Sequence, residues 1–373
     1  MSHMDGLRDS DIANIPAELG GEKVVLGFDG YVDRIREIVN DGPDQEISRR
    51  VHHLAELGEQ ISAAARAERS LLLKWTTPNR RVGGHTCHIS RVLEQLAYDP
   101  VMIGMFGQPP NEIFREDFRG SELESLGDPA YTDAIEFDDW KFMLTEAGGM
   151  QFLDWTTLSE EVGFDRLATH LDGAALLSIG YWAEISDLHS ILEGLHEELL
   201  PSLDSPPKHV LVDPGNIGKR PNSVVQRGGE MLSRLDEQVP VTVSANQFET
   251  EDIAALSGST GGDRSQMETA AKARAELGVT RFVTHRATRS VLVTDSEQVS
   301  IGVPQTDNPV STTGVGDYFN AGIIMGLILE LPPHETVALG NAIAGYFVRQ
   351  GSIPTTEDLN SFLRSYSIEN WRT

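Results

Sequence analysis

The 373-residue chain predicts an α/β fold, a doubly wound and mostly parallel sheet with helices on both faces. Three observations lead there. Short apolar runs of strand length recur from residue 24 to residue 303, most of them stopped by glycine or a polar residue. Segments with apolar residues at helical spacing lie between them. In the second half the two alternate regularly, as in strand–helix–strand units that feed one parallel sheet.

The first strand spans residues 24–28 (Val-Val-Leu-Gly-Phe) and is closed by Asp29. Residues 47–69 carry Val51, Leu54, Leu57, Ile61 and Ala65 at helical spacing. Gly83-Gly84 opens a second helix with Ile89, Val92, Leu93 and Leu96, and residues 101–106 form another strand. From about 109 to 156 the texture changes. Residues 134–137, 141–145 and 150–155 read as short strands, the last two joined by a Gly148-Gly149 hairpin turn. A small inserted sheet is expected there, serving as a lid or side cover. Beyond it, strands are expected at 174–181, 208–213, 240–244, 280–284, 289–294 and 298–303. Helices are expected at 187–200, 221–236, 247–257, 265–277, 317–330 and 336–349, with a surface loop at 257–265. Residues 4–373 read as one domain, and the Met-Ser-His-Met start reads as an expression scar.

Acidic residues number 57 against 30 basic, with only six lysines, for a net charge of -27. Such a surface repels nucleic acid and anionic membranes, and neither is an expected partner. A carboxylate-coated, lysine-poor protein suits concentrated salt, where screening removes self-repulsion. No apolar run approaches the ~20 residues of a membrane span. The single cysteine, Cys87, excludes an internal disulfide, so the cytoplasm is the expected compartment.

In open α/β sheets, ligands bind outside the carboxyl ends of the strands. Those ends read Asp29, Asp213-Pro214-Gly215-Asn216, Asn246-Gln247-Phe248-Glu249 and Thr284-His285-Arg286. Each alone is also explained as a turn former; together they define a rim. Residues 312–317 (Thr-Thr-Gly-Val-Gly-Asp) put glycines where an apolar helix begins, which leaves its first N–H groups approachable. With the positive end of the helix dipole these form an anion site. A carboxylate beside a bound phosphoryl group can take the proton of an attacking hydroxyl. The alternative is an ordinary helix start with Asp317 matching the dipole.

The stretch 312–322 resembles the signature of the ribokinase-like (PfkB) carbohydrate kinases, Asp-Thr-Thr-Gly-Ala-Gly-Asp followed by an apolar helix. The resemblance implies Asp317 as catalytic base, with the Gly314, Val315 and Gly316 amides as the anion hole. Arg81-Val82-Gly83-Gly84 resembles the double glycine beside the sugar, and residues 27–33 resemble the first-strand sugar contact. Asp213-Pro214 resembles a family strand end. Asn246-x-x-Glu249 resembles the motif associated with magnesium and phosphate. By this resemblance Asp29, Asp33, Gly83, Gly84 and His88 face the substrate, and Asn246, Thr284, Arg286, Thr313 and Asn341 face the nucleotide. Asn246 and Glu249 attend Mg2+, and ATP or ADP is the donor.

The chain also departs from the pattern. Ser311 replaces the family's first acidic residue, a monovalent-cation ligand, and His85 and His88 stand where ribokinases carry lysine and asparagine. Residues 285–289 (His-Arg-Ala-Thr-Arg) replace a glycine-rich stretch. The 47–69 helix and the 141–155 hairpin are similar to features of the ADP-dependent sugar kinases. His85, Cys87 and His88 can be read as metal ligands or as packing at a helix start. Arg80-Arg81 and Arg286/Arg289 can be read as phosphate contacts or solvated surface. The expected activity is phosphoryl transfer from a nucleotide to a hydroxyl of a sugar or nucleoside, by a chain that could pair as a homodimer. The alternative is a non-catalytic sugar- or nucleotide-binding protein on the same scaffold.

Overall fold

Alternating apolar runs and helical segments settle into a sheet whose order follows from its connections. The computed structural model describes residues 20–40, 49–258 and 265–365. Its strands are β1 (Lys23–Phe28), β2 (Tyr31–Asn40), β3 (Arg49–Arg50), β4 (Lys74–Gly83), β5 (Asp99–Gly104), β6 (Glu122–Ser125) and β7 (Ala130–Glu136). They continue with β8 (Lys141–Glu146), β9 (Leu176–Gly180), β10 (His209–Val212), β11 (Val241–Asn246), β12 (Arg281–His285), β13 (Arg289–Val293) and β14 (Gln298–Gly302). Nine of them form the main sheet in the order β14-β13-β12-β11-β10-β9-β1-β5-β6. Pairing is parallel from β6 to β12. β13 and β14 follow through short turns and are therefore antiparallel.

Strands covered on both faces read as unbroken apolar runs. In β1, Val24 and Leu26 join a cluster with Ile89, Ile323, Ile324 and Ala342 on one face. Val25 and Phe28 join the larger cluster on the other, with Leu167, Ile191, Leu232 and Ile253. The period of two in the strand divides Val24, Val25 and Leu26 between the two cores. Each fully buried Leu, Ile or Phe contributes about 1.5–3 kcal/mol. Helix Val315–Ile328 is buried on every side from Asp317 to Leu327. Its close partner is helix Pro333–Gln350: a Cβ on Gly322 would fall 2.5 Å from Gly340 Cα, so only glycine allows this approach.

From β1 the chain runs outward through β5 and β6, then returns to β9 on the other side of β1 and proceeds to β12. The direction reverses between β1 and β9. Their carboxyl ends, with that of β10, open the crevice where such sheets bind ligands.

The smaller sheet runs β3-β2-β7-β8, with β4 on the opposite edge of β2. Residues 109–156 supply only β7 and β8 to it; the remainder comes from 31–40, 49–50 and 74–83. β2 starts two residues after Asp29, and β4 ends at Gly83, so this sheet rises directly from the rim. The strand expected at 150–155 is instead a 3-10 turn, Gly148–Phe152, followed by helix Trp155–Val162. Asp154 accepts from Thr157 N at 2.8 Å and caps that helix, while Met150 and Leu153 are buried in the core. The hairpin turn lies earlier, where Phe137 N donates to Trp140 O. The helix expected at 47–69 covers Leu54–Arg66, with β3 ahead of it; residues 47 and 48 lie outside the described residues, as do most of the 257–265 loop and the start of the chain. The other expected strands and helices form within a few residues of their anticipated ends.

Candidate active site

Asp317 stands in the first turn of helix Val315–Ile328, and its side chain is almost wholly buried. Gly314, ahead of it, has φ 78° and brings no capping side chain, so the first N–H groups of the helix remain for an anion. Its positive φ favours glycine, and a Cβ on Gly314 would lie 3.1 Å from His88 Nε2, a tight contact. Tyr181, just past β9, donates its hydroxyl to both Asp317 oxygens, at 3.0 and 2.9 Å. His85 Nδ1 lies 3.4 Å from Asp317 Oδ1. Burial pushes the Asp317 carboxyl up, but His85, His88 and Tyr181 together outweigh it and hold the group below the usual carboxylate value. Burial brings His88 itself down to about 4. At neutral pH His88 is therefore uncharged, while the carboxylates around His85 raise its imidazole above the ordinary value against the pull of burial.

Asp213, at the end of β10, accepts from Gly215 N and from Asn320 Nδ2, both at 2.8 Å. Ser244 Oγ in turn donates to Asn320 Oδ1 at 2.5 Å. Burial raises the Asp213 carboxyl above its ordinary value.

Asp29, expected to receive a sugar hydroxyl, has a different task here. It is fully buried and accepts from His85 N at 2.7 Å and Thr86 N at 2.9 Å, capping helix His85–Gln95. Gly84 has φ 97°, and a Cβ there would fall 2.4 Å from Asp29 Oδ2. The double glycine thus lets the helix start sit directly on a carboxylate. Burial lifts Asp29 to about 6. Asp33 on β2 stays at the rim, with Arg81 Nε 3.7 Å away. Burial raises its carboxyl, opposed by Arg81 and Arg91. A Cβ on Gly83 would meet Asp33 Oδ2 at 3.0 Å and His88 Nε2 at 3.7 Å. Asp33, Gly83, His88 and Gly314 therefore converge between the small sheet and the Gly-Val-Gly turn.

The expected nucleotide-side residues divide. Asn246 and Glu249 close a capping box on helix Gln247–Ala254: Asn246 N and Nδ2 donate to Glu249 at 2.8 and 2.6 Å. Burial and the charge of Asp213 push Glu249 up to about 8. Thr313 is exposed beside Gly314. Arg286 is part-exposed and reaches toward Glu251 at 3.6 Å. Thr284 is buried, with its hydroxyl 3.1 Å from that of Thr250. Asn341 lies in the core, where it accepts from Ser290 Oγ at 2.7 Å and donates to Gly302 O at 3.4 Å. Its polar atoms are engaged in joining helix Pro333–Gln350 to β13 and β14, so it does not reach the crevice.

His85, Cys87 and His88 do not form one ligand set. Cys87 points into an apolar cluster with Val82, Met102 and Phe106, and its buried thiol is pushed well up. Among the described residues, His85, Asp213 and Asp317 do offer ligand atoms within 4.8 Å of one another. Tyr181 and His85 carry much of the geometry around Asp317. Their sequence signals were slight: a tyrosine directly after an apolar strand, and a histidine directly after Gly83-Gly84.

The profile of the prokaryotic ketohexokinase family matches residues 6–366. A ketohexokinase of Haloferax volcanii is 42% identical over 358 residues, which cover 96% of this chain and 95% of that one. Among solved structures, a carbohydrate kinase from Agrobacterium tumefaciens is similar with a TM-score of 0.63 at 14% identity, covering 92% of this chain and 97% of that one. Arabidopsis thaliana ribokinase, solved with ribose and ATP, is similar with a TM-score of 0.60 at 16% identity, covering 92% of this chain and 99% of that one. These structural likenesses carry the fold, and the sequence match carries the activity: a kinase acting on a hydroxyl, rather than a non-catalytic binder on the same scaffold. The chain belongs to the prokaryotic ketohexokinase family, a family of ribokinase-like carbohydrate kinases.

Proposed function

We propose that the enzyme phosphorylates a hydroxyl of a ketohexose from ATP, with Asp317 as general base. One observation carries the mechanism: a buried carboxylate, held ionised, in the first turn of a helix whose N-terminus is open at the switch point of the sheet. In this reading the sugar lies between Asp33, Gly83 and His88, under the small sheet. Asp317 takes the proton of the attacking hydroxyl, whose oxygen bonds to the γ-phosphorus as the bond to the β–γ bridging oxygen breaks and ADP departs. The amides of Gly314, Val315 and Gly316 stabilise the charge on the transferring group. Asp29 acts indirectly, by seating the helix start that bears His85 and His88. The small sheet excludes water, which would otherwise compete as acceptor.

Mg2+ fits the neighbourhood of Glu249. Burial and the negative charge of Asp213 raise Glu249 to about 8, and a nearby cation would relieve that charge. Bound there, the ion would offset charge on the phosphates; Glu249 and Asn246 are the residues to hold it, through water. We extend the reading to the cytoplasm, where the free, buried Cys87 stays reduced, and to a homodimer. Phe142 and Leu144 of β8 are exposed and, two apart in the strand, share one face of the small sheet, which a second copy would cover.

The test is nucleotide consumption across ketohexoses, aldoses, ribose and nucleosides, each with ATP and with ADP. Turnover is expected with a ketohexose and ATP. A nucleoside turned over in preference to every sugar would overturn the substrate assignment, and preference for ADP would overturn the donor.

A further inference from the structure

The His85 ring is fully buried, and its two nitrogens have unlike surroundings. Nε2 lies 2.8 Å from Ser178 Oγ on β9. Nδ1 has no hydrogen-bond partner in good geometry. It stands between two carboxylates, 3.4 Å from Asp317 Oδ1 and 3.8 Å from Asp213 Oδ2. The position is enforced from both sides. Asp29 grips the His85 amide, and a Cβ on Gly180 would fall 2.4 Å from the ring, so the strand end presses flat against it.

We infer that His85 is the positioning residue of the base: a buried imidazolium whose Nδ1–H spans Asp317 and Asp213, keeping Asp317 ionised and aimed at the substrate hydroxyl. The inference rests on Asp317 being the base. The charged groups facing His85 are Asp317 from its helix, Asp213 from the end of β10 and Asp29 from the end of β1. Tyr181 faces it from the end of β9, its ring centroid 5.7 Å away, and His88 lies one turn along its own helix. Three carboxylates thus surround one cation-forming group. Burial pulls the imidazole down, but the contact with Asp317 and the charges of Asp213, Asp317 and Asp29 outweigh it and raise the group. Without that cation, Asp317 is a buried carboxylate near two others and titrates upward. His85 also explains how Asp213 and Asp317 tolerate each other. Asn320 and Gly215 satisfy Asp213 and Tyr181 satisfies Asp317, yet none of these donors carries charge.

The experiment is the pH dependence of kcat/KM at saturating magnesium for His85→Gln, which retains a donor but no charge. Its acid limb is expected to move up by about one pH unit or more, with about a tenfold loss per unit on the acid side. Activity should recover toward wild type at high pH, and the sugar KM should stay within about twofold. A uniformly lower kcat with an unmoved profile would reduce His85 to packing. Should this variant not fold, Ser178→Ala removes the Nε2 contact with little change in volume. A smaller upward movement is expected there, and an unmoved limb counts against the inference. One transition-metal ion per purified chain, lost in His85→Gln, would overturn it by making the same three atoms a metal site. Undiminished turnover in Asp317→Asn would sink the base assignment itself, which separates the two failures.

Discussion

One tyrosine hydroxyl serves both oxygens of Asp317: Tyr181 OH donates to Oδ1 at 3.0 Å and to Oδ2 at 2.9 Å, across 136 residues of sequence. A bifurcated donor fixes the plane of the carboxylate and leaves each oxygen a lone pair for the substrate. Removing a hydrogen bond to a charged group costs about 1.5–3 kcal/mol, or about one to two pKa units. Tyr181→Phe should therefore move the acid limb of kcat up by about one to two pH units while the sugar KM changes less than about twofold. A pH profile of both proteins checks this; a rise in KM with an unmoved limb would move Tyr181 to the sugar.

Asp317→Asn retains the shape of the side chain and loses the proton acceptor. Loss of a general base typically lowers rate by roughly 10²–10⁴-fold, so turnover should fall in that range with the melting temperature and sugar binding nearly intact. Calorimetric titration with the sugar separates the two. Retention of more than about half the wild-type kcat would rule out Asp317 as the base.

Glu249 titrates at about 8 because it is buried near Asp213. A group raised in this way is protonated at neutral pH, and cation binding must expel the proton. Apparent magnesium affinity should weaken as the pH falls from about 9 to about 6. Glu249→Gln should raise the magnesium requirement and flatten that dependence, with little change in sugar KM. A magnesium titration of both proteins at several pH values decides it; identical curves would undo the assignment of Glu249.

The net charge of -27 implies repulsion across the whole fold in dilute buffer. The Debye length is about 30 Å at 0.01 M salt and about 3 Å at 1 M. Molar KCl should raise both the melting temperature and the activity. Potassium sulfate at equal ionic strength separates screening from the strengthening of apolar burial. A melting temperature that is flat or falling in KCl would show that the acidic surface is not an adaptation to salt.

Local patterns were sufficient for much of this. The strand–helix alternation, the open helix start at Gly314 and the carboxylate in its first turn depend on neighbours within one or two turns, so they were legible in the residues themselves. Of the small sheet, β7 and β8 were legible but β2 and β4 were not, and the reason lies in β2. A register shift between Ile35 and Glu37 spaces its buried residues at Val32, Ile35 and Ile38, a period of three that hides the strand alternation. Its partner β4 contains Pro78 and is mostly exposed, so it carries no strand signal of its own.

The residues themselves also named chemistry that assembly then sorted. Asp29 and Thr284 were candidates as strand ends, and Asp33 and Asn341 by the family resemblance. Sheet order set Asp29 under a helix start and Asn341 against Ser290, where their hydrogen-bonding capacity is used internally. It left Asp33 at the rim. The chain by itself determined the parallel sheet, the acidic surface and the Gly-Val-Gly-Asp turn, because periodicity, charge and helix-end geometry are local properties. Only the tertiary structure decided that His85, Tyr181, Asp213 and Asp317 meet. They come from four separate elements, and what joins them is the reversal of strand order between β1 and β9, a relation among distant segments that no local spacing encodes.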